Sequence, residues 1–341
     1  MTPDPVLVLA WLILAHLVAD FVLQTAGMVR DKAAGGRRGW RGLLAHGGGV
    51  GVCLLPFVAA FGSRGLGLLL VVTVGHVLID RWKVRATRHA EAEALADARR
   101  RHEPAGHEVV LGPAWTPIPG ALFIADQLAH AVLFTGAWLV LLAGTAPLPE
   151  FTALVDRVVA GFDPALVHRA TLVAVVIVAL LIVNVRAAAL FVATLVSPRA
   201  AAAGEPLVDE EPEPAALSPR TWTLRFGPLV ATAEREAGMA EAAHPGNPGP
   251  TPGRAMARDG HASPARIGAT IGVLERLLIV TFVLTGSTAA IGFVVAAKTL
   301  ARFRQLDDRD FAEYYLLGTL ASVAVALGSG LLAAAALGRL G

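Results

Sequence analysis

Apolar residues fill long blocks of the chain, and polar residues gather between these blocks. Most blocks are close to 20 residues long, about the length at which an α-helix crosses the hydrocarbon core of a bilayer. The clear blocks cover 5–25, 42–61, 64–82, 119–143 and 168–190, and a last one covers 314–337. The pattern predicts an all-α fold, a polytopic membrane bundle whose first four spans form an N-terminal unit.

One apolar stretch does not fit a single span. Residues 267–300 are longer than one crossing requires and are interrupted by Glu275, Arg276 and Gly286. We expect either an interfacial segment followed by a span, or two half-helices hinged near Gly286. A re-entrant hairpin is slightly favoured, because a single crossing would leave Lys298 and its basic neighbours outside the cell.

The composition supports a membrane protein and excludes several other classes. Apolar residues make up 55% of the 341 residues and charged residues only 16%, where about 25% charged residues is usual in soluble domains. A disordered chain, a nucleic-acid-binding module and most soluble enzymes are therefore excluded. The net charge of +2 indicates no polyanionic partner, and the single cysteine excludes a disulfide framework or a cysteine-based metal site.

The chain divides into four predicted regions. The four-span domain covers 1–143, and an extracytoplasmic connection with the fifth span covers 144–196. Residues 197–266 contain eleven of the 21 prolines and are predicted to be a flexible cytoplasmic linker, to which a soluble partner could bind. The C-terminal membrane unit covers 267–341.

Basic residues predict the orientation of the spans. They are concentrated in the loops 26–41 and 83–118, whereas the connections near Arg64 and Arg157 each carry a single basic residue. Basic loops stay in the cytoplasm, so we expect the N-terminus outside and both basic loops inside. The predicted location is the inner (cell) membrane of a bacterium, with membrane lipids as neighbours and no nucleic-acid partner.

Histidine and aspartate recur inside the apolar blocks at a spacing of four residues. On a helix this spacing puts both side chains on one face. The predicted orientation places all of these residues in the cytoplasmic half of the membrane, at compatible depths. They are the pairs His16 and Asp20, His76 and Asp80, and Asp126 and His130, together with His46 in the second span.

Imidazole and carboxylate groups at matched depth are typical of a divalent-metal site, with zinc the first candidate and manganese or iron the alternatives. Three buried carboxylates also require neutralisation, which a cation provides. A proton relay or a cluster of interhelical hydrogen bonds would use the same residues. The predicted ligands are His16, Asp20, His76, Asp80 and His130; His46 and Asp126 are further ligands or catalytic bases, and Gln24 and Gln127 support the ligands.

These residues carry a resemblance to a known family. The string from Leu14 to Gln24, followed by Met28 to Lys32, resembles the signature of domain-of-unknown-function family 3307, which comprises bacterial multi-span membrane proteins. The resemblance covers about 6–142, and 267–337 is similar to a C-terminal extension that many members carry. It implies the helical membrane fold but no activity, while the His/Asp layout is similar to that of membrane-bound metal-dependent hydrolases.

Three functions stay open from the sequence. The leading interpretation is a metal-dependent hydrolase that acts on a phosphoester or a lipid head group at the cytoplasmic interface. A divalent-cation transporter is the strongest alternative, although transport sites favour the membrane midplane. The third is a membrane scaffold in which the metal or polar site is structural and the linker recruits a partner.

Overall fold

The structure is a computed structural model that describes residues 4–102, 116–196, 222–226, 229–233 and 264–338. It confirms the all-α helical bundle. The helices are α1 Pro5–Val18, α2 Ala26–Ala34, α3 Gly36–His102, α4 Ile118–Leu141, α5 Pro149–Val158, α6 Pro164–Ile182, α7 Ala188–Val196, α8 Pro264–Leu284, α9 Ala290–Ala301 and α10 Arg309–Leu337.

Among the described residues, five helical segments are long and apolar enough to cross a membrane. They are Pro5–Leu23, Gly36–Asp97, Ile118–Leu141, Pro164–Val196 and Phe311–Leu337. Part of α4 is polar on its buried face and apolar on its exposed face: Asp126 and His130 are fully buried, whereas Leu128 and Val132 are 62% and 73% exposed. This inversion is typical of helices surrounded by lipid, and it agrees with the predicted membrane protein. The orientation of the spans stays a prediction.

Helix α3 contains two arms that fold back on each other. Gly62 separates them with non-helical backbone angles, φ 58° and ψ −127°, and glycine adopts positive φ without steric cost. The predicted second and third spans correspond to these arms, 36–61 and 63–102. The composition of 84–103 also predicts a short surface helix there, and in the structure the helix over this segment is the continuation of α3 to His102.

Two π-helical turns interrupt the spans. The first, Ala19–Leu23, extends α1 and contains Asp20, and the second, Val183–Ala187, joins α6 to α7 and contains Arg186. A π-turn places one extra residue in the helical turn, and such turns are frequent at functional sites. Each π-turn therefore changes the direction in which the following side chains point, relative to a regular α-helix.

The C-terminal stretch forms two antiparallel helices. Helix α8 ends before Gly286, which has φ 72°, and α9 then runs back so that Lys298 Nζ lies 2.6 Å from Glu275 Oε2. The predicted hinge near Gly286 is thus present in the backbone. Whether this hairpin re-enters the membrane from one side stays a prediction, as does the topology of 267–313.

The chain clusters into two compact units, Val208–Leu274 in one and the remainder in the other. Within the smaller unit, β1 Trp222–Phe226 pairs antiparallel with β2 Leu229–Ala233. The rest of the predicted linker 197–266 lies outside the described residues, apart from the first residues of α8. The predicted domain boundaries stay predictions.

Candidate metal centre

Seven polar side chains converge between the first four spans. Each is at most 9% exposed, and they come from α1 with its π-turn, both arms of α3, and α4. They are His16, Asp20, His46, His76, Asp80, Asp126 and His130. The structure thus brings together every histidine and aspartate that the sequence predicts as a ligand or base.

Three donor atoms form the centre of this group, which we call the central cluster. Asp20 Oδ1 lies 3.2 Å from His46 Nε2 and 3.3 Å from His76 Nε2, and the two Nε2 atoms are 2.9 Å apart. Ligands around a tetrahedral zinc ion at 2.0–2.1 Å would be separated by about 3.3 Å. The central cluster therefore has the size of a zinc coordination shell.

Close packing of the two α3 arms sets the distance between the histidines. A Cβ on Gly47, next to His46, would lie 2.6 Å from Cγ2 of Val77, next to His76. The absence of a side chain at Gly47 therefore allows the approach. The neighbouring Gly48 and Gly49 do not contribute to this approach in the same way, since no atom lies within 4 Å of a Cβ position on either of them.

His16 Nδ1 faces the central cluster, and in the neutral imidazole the hydrogen bond to Gln127 makes this nitrogen an acceptor. Gln127 Nε2 donates to Asp126 Oδ2 at 3.0 Å, which fixes the amide, so Gln127 Oε1 accepts from His16 Nε2 at 3.3 Å. His16 Nδ1 then carries a lone pair and faces Asp20 Oδ1 at 3.6 Å. Two acceptor atoms that face each other in a buried site require a cation or a proton between them.

His130 also presents a free lone pair. Its Nδ1 lies 2.9 Å from the carbonyl oxygen of Asp126, and because a carbonyl only accepts, Nδ1 is the protonated nitrogen. Nε2 is buried and has no hydrogen-bond partner among the described residues. The ring of His130 lies 4.2 Å from that of His76 and 4.8 Å from that of His16, centroid to centroid.

Buried polar atoms without a hydrogen-bond partner are concentrated here. Such atoms are rare in folded proteins, and each one calls for a ligand, an ion or a water. Five of the eight that occur in the described part of the chain belong to the site. They are His16 Nδ1, Asp20 Oδ1, His76 Nδ1, Asp126 Oδ1 and His130 Nε2.

Two lysines that the sequence analysis did not assign to the site neutralise two of its carboxylates. Lys32 Nζ lies 2.5 Å from Asp80 Oδ2, and Lys83 Nζ lies 2.7 Å from Asp126 Oδ2. In the sequence both looked like ordinary basic loop residues. Two signals could have identified them: Lys32 ends the string that carries the family resemblance, and Lys83 lies seven residues after His76, on the same helical face.

Helix α2 is held close enough to insert Lys32. A Cβ on Gly42 of α3 would lie 2.6 Å from the backbone nitrogen of Lys32, so only glycine permits this contact. Gln24 Oε1 accepts a hydrogen bond from Lys32 Nζ at 2.7 Å. Gln24 thus supports the lysine rather than a histidine, while Gln127 supports His16 as described above.

Asp20 is the carboxylate that remains without a cationic partner. Among the described residues, its contacts within 4 Å that involve ionisable groups are with histidines, at His16, His46 and His76. With neutral imidazoles, three carboxylates and two ammonium groups leave one net negative charge in a buried site. The uncompensated charge lies at the central cluster.

One family model matches the part of the chain that contains this site. Residues 8–159 match the family described as "Protein of unknown function (DUF3307)". This part of the chain is similar to that family. The chain matches no curated protein and no solved structure. All seven site residues, Lys32 and Lys83 lie inside the matched region.

Apolar residues close one end of the site. Phe134 packs against the rings of His16 and His130, with centroids 4.8 and 6.0 Å away. Beyond it lies an apolar cluster that includes Leu12 and Leu68. The polar groups therefore end at Phe134 and face the end of the bundle that carries α2.

Proposed function

We propose that this protein is a membrane metalloenzyme that holds one zinc ion at the central cluster and hydrolyses a phosphoester of a lipid head group. The observation that carries the proposal is the arrangement around Asp20 Oδ1, which faces nitrogen atoms of His16, His46 and His76 at 3.2–3.6 Å without a lysine or arginine partner among the described residues. Manganese and iron accept the same donors.

The charge of the site favours one divalent ion. The apo site carries one net negative charge, because Lys32 and Lys83 neutralise Asp80 and Asp126. One divalent ion brings the site to one net positive charge, whereas two would bring it to three in a buried environment. Burial of uncompensated charge is costly, so a single ion fits the residues better than a pair.

The chemistry follows from the free lone pairs. Held by Asp20, His46 and His76, a divalent ion would polarise a phosphoryl oxygen and lower the pKa of a coordinated water towards neutrality. His130 Nε2, which has no hydrogen-bond partner among the described residues, would accept the proton of the water as its oxygen bonds to phosphorus. The ester P–O bond would then break, and the released alcohol would take up that proton from His130. Asp126 is less suited as the base, because Lys83 and Gln127 already bind its Oδ2.

Transport is less well supported by the geometry. A transport path needs polar groups on both sides of the ion site. Here Phe134 and the apolar cluster beyond it close the deep side. A site whose polar groups lie on one side only suits an enzyme that meets its substrate at the membrane surface.

The test is activity of detergent-purified protein before and after removal of metal. Phospholipid in mixed micelles should release a water-soluble product with native protein, the activity should disappear after treatment with a chelator, and zinc should restore it. Asp20→Asn should be inactive. Asp4→Asn is the matched control, since Asp4 also contacts a histidine, His168, at 3.2 Å, but outside the site. Activity that survives complete removal of metal would refute the proposal.

A further inference from the structure

The positions of Lys32 and Lys83 point to the class of substrate. Resting on the proposed function, we propose that these two lysines bind the phosphate of a singly charged phosphodiester and hold it against the metal centre. Both lysines pair with carboxylates of the site, at 2.5 Å for Lys32 and 2.7 Å for Lys83. A phosphate oxygen is a second acceptor of the kind that an ammonium group binds.

The lysines lie beside the donors of the central cluster. Asp80 Oδ2, the acceptor of Lys32, is only 3.6 Å from His46 Nε2 and 3.8 Å from His76 Nε2. Oxygens of Asp80 and Asp126 and a nitrogen of His130 also come within 4.8 Å of one another. A phosphate that places one oxygen on the ion therefore has its other oxygens near the two ammonium groups.

Lys83 is the more accessible of the two lysines, since Lys32 is buried. Lys83 continues the helical face of His76 and Asp80 and has a side chain that is 28% exposed, the largest exposure of any group in the two lysine–carboxylate pairs. Its ammonium also lies 4.9 Å from the centre of the Phe123 ring, a cation–π contact that holds the side chain at the rim. Lys32 is held from the other side by Gln24.

Charge selects the phosphodiester. With one divalent ion the site carries one net positive charge, and a phosphodiester brings one negative charge, so the complex is neutral. A phosphomonoester carries about 1.5 to 2 negative charges at neutral pH and would leave the buried site negative. The same chemistry is offered by a phospholipid head group and by a soluble diester.

The experiment is a binding measurement on zinc-loaded protein in a neutral detergent. Short-chain phosphatidylglycerol, dimethyl phosphate and inorganic phosphate are the probes, and dioctanoylglycerol is the uncharged control. Phosphatidylglycerol should bind more tightly than inorganic phosphate. Binding of both diesters indicates recognition of the phosphate alone, and binding of the lipid only indicates that the acyl chains also contribute; both agree with the proposal.

The variants Lys32→Met and Lys83→Met should each still bind one zinc per chain. Each should bind phosphatidylglycerol about tenfold or more weakly than wild type, because that is the loss of affinity expected for one hydrogen bond to a charged group. Lys298→Met is the matched control, since this lysine also pairs with a carboxylate at 2.6 Å and is 22% exposed. It should bind the lipid like wild type. Lys32→Arg should restore part of the affinity.

Two results would overturn this inference and leave the metal site standing: unchanged lipid affinity in both lysine variants, or tighter binding of inorganic phosphate than of either diester. Loss of zinc from both lysine variants would also overturn it, because the lysines would then serve the metal site alone. Absence of zinc from wild-type protein would instead refute the proposed function itself, so the two failures are distinguishable.

Discussion

The substitution Asp20→Asn removes the uncompensated charge and preserves the shape of the side chain. Its consequences for the metal-bound and metal-free protein have opposite signs. With zinc bound, loss of this carboxylate leaves two net positive charges where wild type has one, because Lys32 and Lys83 still neutralise Asp80 and Asp126. Removal of one partner from a buried charge pair costs about 3–5 kcal/mol.

That cost corresponds to a loss of zinc affinity between about a hundredfold and a few thousandfold. Without metal, Asp20→Asn removes a buried charge that faces only histidines, and we expect the metal-free protein to unfold at an equal or higher temperature. The assay is competition with a chromophoric chelator for zinc affinity, together with thermal unfolding in detergent with and without chelator.

Asp4→Asn serves as the control, because asparagine also caps a helix and Asp4 caps α1 through Val6 N at 2.9 Å. It should change neither zinc affinity nor the zinc-dependent shift in melting temperature. The reasoning is refuted if Asp20→Asn binds zinc within threefold of wild type. It is equally refuted if the metal-free variant unfolds well below metal-free wild type, since Asp20 would then be a structural hydrogen-bonding group.

Two further substitutions act on the geometry of the site rather than on its donors. Gly47→Ala should lower the free energy of unfolding by about 1–3 kcal/mol through overpacking against Val77 and should weaken zinc binding. In the control Gly49→Ala, the added methyl group meets no atom within 4 Å, so zinc binding should be unchanged. Equal effects of the two variants in calorimetry and zinc competition would contradict the packing argument. Arg186 Nε donates to Phe21 O at 3.2 Å, in the π-turn that carries Asp20. Arg186→Met should therefore lower zinc affinity about tenfold to a hundredfold, and Arg186→Lys should restore it; no change in the competition assay would contradict this role.

The convergence of histidines and aspartates could be predicted from the sequence because it depends on helical geometry alone. Residues four apart share a face, and long apolar blocks fix where each helix lies relative to the membrane. His16 and Asp20, for example, needed no tertiary information to be placed on one stripe. The structure adds the distances, which show that donor atoms of Asp20, His46 and His76 meet within the size of one coordination shell.

The lysines could not be separated from their neighbours by the same reasoning. Lys32 and Lys83 lie among many basic residues that the orientation rule already accounts for, and only the packing of α2 against Gly42 buries Lys32. The π-turn at Ala19–Leu23 likewise has no sequence signature. The contact of Arg186 with Phe21 joins residues 165 positions apart, which periodicity within one helix does not reveal.

The central claim is that Asp20, His46 and His76 hold a metal ion. X-ray absorption at the zinc edge, measured on protein purified without chelators and paired with elemental analysis, tests it most directly. The account predicts about one zinc per chain, with nitrogen and oxygen ligands at about 2.0–2.1 Å and the multiple-scattering signature of at least two imidazoles. Protein that contains no zinc, manganese or iron, or zinc without imidazole ligands, would contradict it.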